Sequence, residues 1–179
     1  MEELCSNLGL DWIHDEEFSR TPERATEWFL SFARKPNYEK DNEDFFSTTF
    51  SSPHKEMVWE SGLAFVAMCP HHLLPYSGTA SIAYIPDGRV LGISKLARAL
   101  DYFTHYPVKQ EDATANIADA IMQYLSPLGC MVVLRAFHSC MGLRGVKQHD
   151  HQTGTSAVRG CFADNTDNCR TEFLTLAHG

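Results

Sequence analysis

Gly78-Thr-Ala-Ser-Ile-Ala-Tyr-Ile-Pro86, followed at once by Asp87-Gly88, decides how the rest of the chain is read. Its β-branched and aromatic residues mark a strand, and Asp-Gly marks a turn. Upstream, Met57 to Cys69 reads as a strand that ends in Pro70. Downstream, Arg89 to Ile93 is an extended return. Ser94 can cap a helix with Leu96, Ala99, Leu100 and Phe103 on one face. A second helix follows Pro107, with Ile117, Ile121, Tyr124 and Leu125 at helical spacing, and Pro127 and Gly129 end it. Cys130 to Ser139 and Thr155 to Phe162 read as two more strands, and a short helix from about Asn168 closes the chain. The order strand, strand, helix, helix, strand, strand predicts an α+β domain over residues 56–179, with helices covering one face of an antiparallel sheet.

Residues 1–55 have a different character. Residues 1–20 are polar and poorly periodic, and 36–55 are rich in Asn, Asp, Ser and Lys. Between them Thr21-Pro22-Glu23-Arg24 starts a helix, with Thr as N-cap and Pro in the first turn. Its apolar residues Ala25, Trp28, Phe29 and Phe32 recur at helical spacing to about Ala33. This part reads as a helical N-terminal arm and linker.

The 179 residues suit one domain with an appendage, and 44% hydrophobic with 21% charged excludes a disordered or fibrous chain. A net charge of −8 argues against a general nucleic-acid or membrane-surface binder. An anionic ligand would need basic residues gathered against that field. No apolar run approaches a membrane span, and the acidic N-terminus lacks the pattern of a signal peptide, so a cytoplasmic protein is expected. Six cysteines in a reducing compartment are thiols or metal ligands.

Cys69-Pro70-His71-His72 stands where a strand gives way to a loop. Cys69 and His72, three apart, can ligate one metal, and thiolate with imidazole suits zinc. His138-Ser139-Cys140 ends another expected strand, where alternation puts His138 and Cys140 on one side. A Cys69/His72/Cys140 set leaves a fourth position open, as in catalytic zinc sites. His71 and His138 would then be free imidazoles suited to general acid–base work. Ser94, Lys95 and Arg98 at a helix start make a phosphate site, although a capped helix with solvated basic residues is the plainer reading of that segment alone. Arg144 is a further basic residue close to Cys140. Gln110 and Glu111 can meet the donor and acceptor edges of a guanine, or can be a polar first turn. His149-Asp150-His151 reads as an exposed loop tip, and Cys5, Cys130, Cys161 and Cys169 as ordinary thiols.

Taken in series, these pieces resemble GTP cyclohydrolase I. The resemblance rests on Cys69-Pro-His-His-Leu-Leu-Pro75, Ala83-Tyr-Ile-Pro86, Gly92-Ile-Ser-Lys-Leu-Ala-Arg98, Gln110-Glu111 and Ile117-Ala-Asp-Ala-Ile121. It continues through His138-Ser-Cys-Met141, Arg144-Gly145, Thr155-Ser156 and Glu172-Phe-Leu174. It implies the tunnelling fold, an antiparallel four-stranded sheet with two helices inserted between its halves. It implies a cytoplasmic homo-oligomer, a decamer of two pentamers, with active sites between subunits. The implied reaction opens the imidazole ring of GTP, releases formate and forms dihydroneopterin triphosphate. Carried over residue by residue, Cys69, His72 and Cys140 hold one zinc per subunit, with iron(II) left open. His71 and His138 transfer protons, Ser94, Lys95, Arg98 and Arg144 hold the triphosphate, and Gln110 and Glu111 read the guanine. Arg24 would reach a neighbouring subunit's triphosphate.

Two other readings compete. One is the nitrile reductase of queuosine synthesis, which shares the fold but needs neither zinc nor a triphosphate site. The other is a non-catalytic zinc-stabilised binding module, in which His71 or His138 supplies a fourth ligand.

Overall fold

The computed structural model describes residues 1–32 and 46–177. The chain divides into two compact units, 1–35 and 36–179. The first carries α1 (Glu2–Asn7), in a stretch without clear periodicity, and α2 (Thr21–Ser31). Arg20 rather than Thr21 stands at the N-cap of α2, so Pro22 is its second residue. Trp28 and Phe29 stay 39% and 37% exposed on it. The expected helix end at Ala33 lies outside the described residues.

The second unit contains β1 (Thr49–Ser51), β2 (Val58–Met68), β3 (Pro75–Ile85), β4 (Arg89–Leu91), α3 (Ser94–Thr104) and α4 (Gln110–Leu125). It continues with β5 (Gly129–His138), α5 (Ser139–Gly142), β6 (Thr153–Gly160), α6 (Cys161–Asp164) and α7 (Cys169–Leu176). Strands β2, β3, β5 and β6 form one antiparallel sheet in that order. The helices α3 and α4 are inserted between its two hairpins, the arrangement the resemblance implies.

The extended return after Asp87-Gly88 does not run back along β3. Instead β4 pairs with β1, from Thr49↔Leu91 to Ser51↔Arg89. Residues 49–51 therefore belong to the second unit, ahead of the boundary expected at 55/56. Three residues among polar neighbours carry too little periodicity to announce a strand.

Alternation along β3 and β5 sorts the core. Ala80, Ile82, Tyr84, Cys130, Val132, Leu134 and Ala136 pack with Leu96, Ala99, Leu100 and Phe103 of α3 and Ile117, Ala118, Ile121 and Leu125 of α4. Ala83 and Met131, of opposite parity, pack with Phe162, Cys169 and Phe173. The helices thus cover one face as expected, and the C-terminal segment also covers part of the other. At Gly78 a Cβ would lie 1.8 Å from the Arg135 carbonyl oxygen, so only glycine lets β3 approach β5 there.

The helix ends follow backbone chemistry more than side-chain caps. Ser94 is the first residue of α3, with Ile93 at the N-cap and no side-chain cap hydrogen bond. Ser94 is therefore not the capping residue. Glu111 and Asp112 sit in the first turn of α4, where the helix dipole favours carboxylates. Ser126 ends α4 in the left-handed region, φ 53°, just before Pro127. Among the described residues, no helix is long and apolar enough to cross a membrane.

Candidate active site

The loop from β2 to β3 builds the first half of the site. Cys69 N–H donates to the Leu74 carbonyl and Leu73 N–H to the Cys69 carbonyl, each at 2.9 Å. The second bond closes a single α-type turn, which brings side chains three apart onto one side. Leu73 holds φ 52°, a left-handed conformation rare for a branched side chain and found where surrounding structure imposes it. Within this turn Cys69 Sγ lies 3.6 Å from His72 Nδ1 and 3.8 Å from His71 Nδ1.

The second half arrives from β5. His138 is its last residue, and Cys140 lies on the following helical turn α5. Strand alternation therefore does not place Cys140; the turn does. The ligand atoms of Cys69, His72 and Cys140 all lie within 4.8 Å of one another. Burial first, and then the neighbouring Cys69 thiol, push the Cys140 thiol above its ordinary value.

These residues fit zinc. Zinc bonds of about 2.3 Å to sulfur and about 2.0 Å to nitrogen at tetrahedral angles hold the two atoms roughly 3.5 Å apart. The Cys69 Sγ–His72 Nδ1 separation of 3.6 Å is close to that. Two thiols crowded together with an imidazole beside them are a donor set that a borderline-soft dication completes.

A third segment reaches the site through the backbone. Val108 N–H donates to the Met68 carbonyl at 3.0 Å, tying the start of α4 to the end of β2. Gln110 is 1% exposed. Its Nε2 donates to Leu134 O (3.1 Å), Thr153 O (3.0 Å) and Thr155 Oγ1 (3.1 Å). Its Oε1 faces His138 Nε2 at 2.7 Å. A side chain with its amide spent this way has no donor left for a ligand, so the expected guanine contact of Gln110 meets a buried internal brace instead. Glu111 beside it is exposed.

The His138 ring stacks on Tyr76, its cross-strand partner, with centroids 4.4 Å apart and planes 2° from parallel. Burial, then His151, hold the His138 pKa below its ordinary value, against a smaller opposing pull from Glu111. The backbone N–H of His138 donates to His151 Nε2 at 3.3 Å. His151 is thus docked under the site, and the 149–151 loop is more than an exposed tip. Arg144 is exposed, and its charge partly offsets the rise at Cys140.

Ser94, Lys95 and Arg98 stand in the first turns of α3. Ser94 and Arg98 are exposed and Lys95 is 9% exposed at the start of α3. Among the described residues no hydrogen bond or ion pair joins them to the cysteine–histidine group. Tyr76 is a site residue that motif reading did not single out, while Thr155 and His151 were named there without a role in the site. The Thr155-Ser156 pair in the serial resemblance was the available signal for Thr155.

The family profile of GTP cyclohydrolase I matches residues 1–178. This chain belongs to the GTP cyclohydrolase I family. It is 44% identical over 158 residues to "GTP cyclohydrolase 1" of Geobacillus kaustophilus (strain HTA426), covering 87% of this chain and 82% of that one. It is 48% identical over 137 residues to "GTP cyclohydrolase 1" of Brevibacillus brevis, covering 76% and 73%. It is 41% identical over 165 residues to "GTP cyclohydrolase 1" of Halalkalibacterium halodurans, covering 92% and 86%. A solved archaeosine synthase QueF-Like in the apo form aligns at TM-score 0.48 and 17% identity over 61% of this chain and 96% of that one. Membership of the GTP cyclohydrolase I family sets aside the nitrile-reductase and zinc-module readings.

Proposed function

We propose that this chain hydrolytically opens the imidazole ring of GTP, releasing formate and forming dihydroneopterin triphosphate. The observation that carries the reading is the Cys69/His72/Cys140 group with His71 beside it and His138 two residues before Cys140, in a chain of the GTP cyclohydrolase I family. Cys69, His72 and Cys140 would hold zinc. Bound zinc lowers the pKa of a coordinated water to about 7 and so supplies a nucleophile at neutral pH.

The chain's own residues do the rest. His71, exposed on the same turn, donates a proton to the ring nitrogen as the bond to the carbon between the two imidazole nitrogens breaks. Burial disfavours the charged form of His138, which suits it to accept a proton from the attacking water. A second addition of water to that carbon releases formate, and the opened skeleton re-closes. Glu111 accepts hydrogen bonds from the guanine ring N–H and exocyclic amine. Ser94, Lys95, Arg98 and Arg144 hold the triphosphate and gather positive charge in a chain of net charge −8.

We further infer a homo-oligomer, a decamer of two pentamers, with each site completed by a neighbouring subunit. Membership of the GTP cyclohydrolase I family supports this. So do β2 and β6, which are the two edge strands of the sheet. Arg24 then serves a neighbour's triphosphate. All six cysteines are free thiols, which suits the cytoplasm.

The test is to incubate metal-replete protein with GTP, following pterin absorbance and formate, beside a chelator-treated control. Chelator-sensitive formation of both products is expected. Metal-replete protein that yields neither product overturns the reading.

A further inference from the structure

Gln110 is one of four buried polar residues among those described, and nothing in the reaction needs its amide to touch substrate. Its hydrogen bonds settle which way that amide points. Leu134 O and Thr153 O can only accept, so the group facing both must be the NH₂. The flipped amide would set an oxygen against two carbonyl oxygens at about 3 Å and leave its own donors unused. Oε1 therefore faces His138 Nε2 at 2.7 Å, and at that distance the imidazole nitrogen must be the donor.

A neutral imidazole carries one proton. If Nε2 holds it, Nδ1 carries the lone pair. Tyr76 lies flat against the ring at 4.4 Å and holds its plane, and a half-turn of the ring within that plane would set a carbon against Oε1 and lose the 2.7 Å bond. Tyr76 is 1% exposed, and its hydroxyl donates to Val108 O at 3.0 Å, two residues before Gln110. One short segment thus anchors both the face and the edge of the ring. His151 gives a parallel case nearby. Its Nδ1 donates to Gln148 O at 2.6 Å, which leaves its Nε2 as the acceptor of the His138 backbone N–H.

We propose that Gln110 is a positioning residue that fixes neutral His138 as the Nε2–H tautomer, so that Nδ1 is the nitrogen that exchanges the proton in catalysis. The Gln110 amide, pinned by β5 and β6, transmits the register of those strands to the orientation of a catalytic ring. The inference rests on the reading of His138 as a proton-transfer residue.

The first test is the ¹⁵N spectrum of histidine-labelled, zinc-loaded wild-type protein at mildly alkaline pH, with His138 assigned by its loss in His138→Gln. A pyrrole-type Nε2 and a pyridine-type Nδ1 are expected. The opposite pattern overturns the proposal, and this measurement does not depend on any Gln110 variant folding. The second test is a double-mutant cycle in steady-state kinetics with GTP. Gln110→Met should lower kcat roughly 10- to 100-fold, the range seen when an outer residue stops orienting a functional group. KM should stay within about threefold, as for a group that does not bind the ground state. Zinc content should be unchanged, and in the His138→Gln background Gln110→Met should cost nothing further. A raised KM with unaltered kcat would make Gln110 a guanine contact and overturn the proposal, as would losses that multiply in the double variant. If His138→Gln alone keeps the wild-type kcat, the proton-transfer reading and the catalytic half of this inference fall, and the spectrum alone decides the tautomer.

Discussion

Strand β5 has cysteines at both ends, and the two ends behave differently. At its C-terminal end Cys69 and Cys140 face each other, with His71 Nδ1 3.8 Å and His72 Nδ1 3.6 Å from Cys69 Sγ. At its N-terminal end Cys161 and Cys169 also interact, and Cys169 Sγ donates to the Cys161 carbonyl at 3.3 Å. In both pairs burial and the neighbouring thiol raise a pKa, that of Cys140 in one and that of Cys161, to about 11, in the other. What differs is the company. The first pair has imidazoles at ligand distance; the second packs with Phe162 and Phe173. A thiol pair becomes a metal group through its third donor, and without one it is packing.

The sharpest way to break this contrast is Cys140→Ser. It should abolish stoichiometric zinc and reduce GTP turnover to background while the far-ultraviolet circular dichroism stays native, because Cys140 sits on a turn outside the core strands. An active, metal-replete variant would sink the ligand assignment. His71→Ala sharpens the same end. Zinc content and GTP affinity should persist while ring opening drops by roughly 10²- to 10⁴-fold, the usual worth of a general acid or base. Metal loss in that variant would make His71 a ligand.

At the other end the expected effects are structural. Gly160 holds φ 55°, and a Cβ there would meet the Leu128 carbonyl oxygen at 2.2 Å. Gly160→Ala should cost about 2 kcal/mol, read as a lower denaturant midpoint, with zinc per subunit unaltered in the folded protein. The smallest effect is expected from Cys161→Ser, which should leave zinc content and kcat at wild-type values. Thiol labelling ranks the ends directly. Chelator treatment should expose Cys140 to iodoacetamide. Cys130, buried with its pKa pushed up to about 12, should resist with or without metal when the adducts are read by mass spectrometry. Labelling of Cys130 at a rate matching Cys140 would remove the distinction.

The local parts of the site were legible in the sequence. Cys69 and His72 share one turn, so their spacing offered two ligands of one metal, and Cys140 had to supply the third. The order of strands and helices was legible because β3, β5, α3 and α4 have strong periodicity. What stayed hidden depends on register. Tyr76 meets His138 only because those residues are paired across β3 and β5. Gln110 is buried because Leu134 and Thr153, on two different strands, present carbonyls to one point. A polar residue in a first helical turn gives no sign of such a reach. The β1–β4 pair was hidden for the opposite reason, since three-residue strands carry almost no pattern.

The placement of Cys69 and Cys140 also has a folding consequence. They bracket β3, β4, α3, α4 and β5, which hold most of the apolar core. A cation gripped by both ends would act as a reversible clip on that whole span, much as a disulfide does. In the chain-entropy view, closing a loop of this length disfavours the unfolded ensemble by about 4 kcal/mol. The donors chosen for chemistry would then also govern how long the domain survives between unfolding events, and metal scarcity would shorten its lifetime as well as silence it.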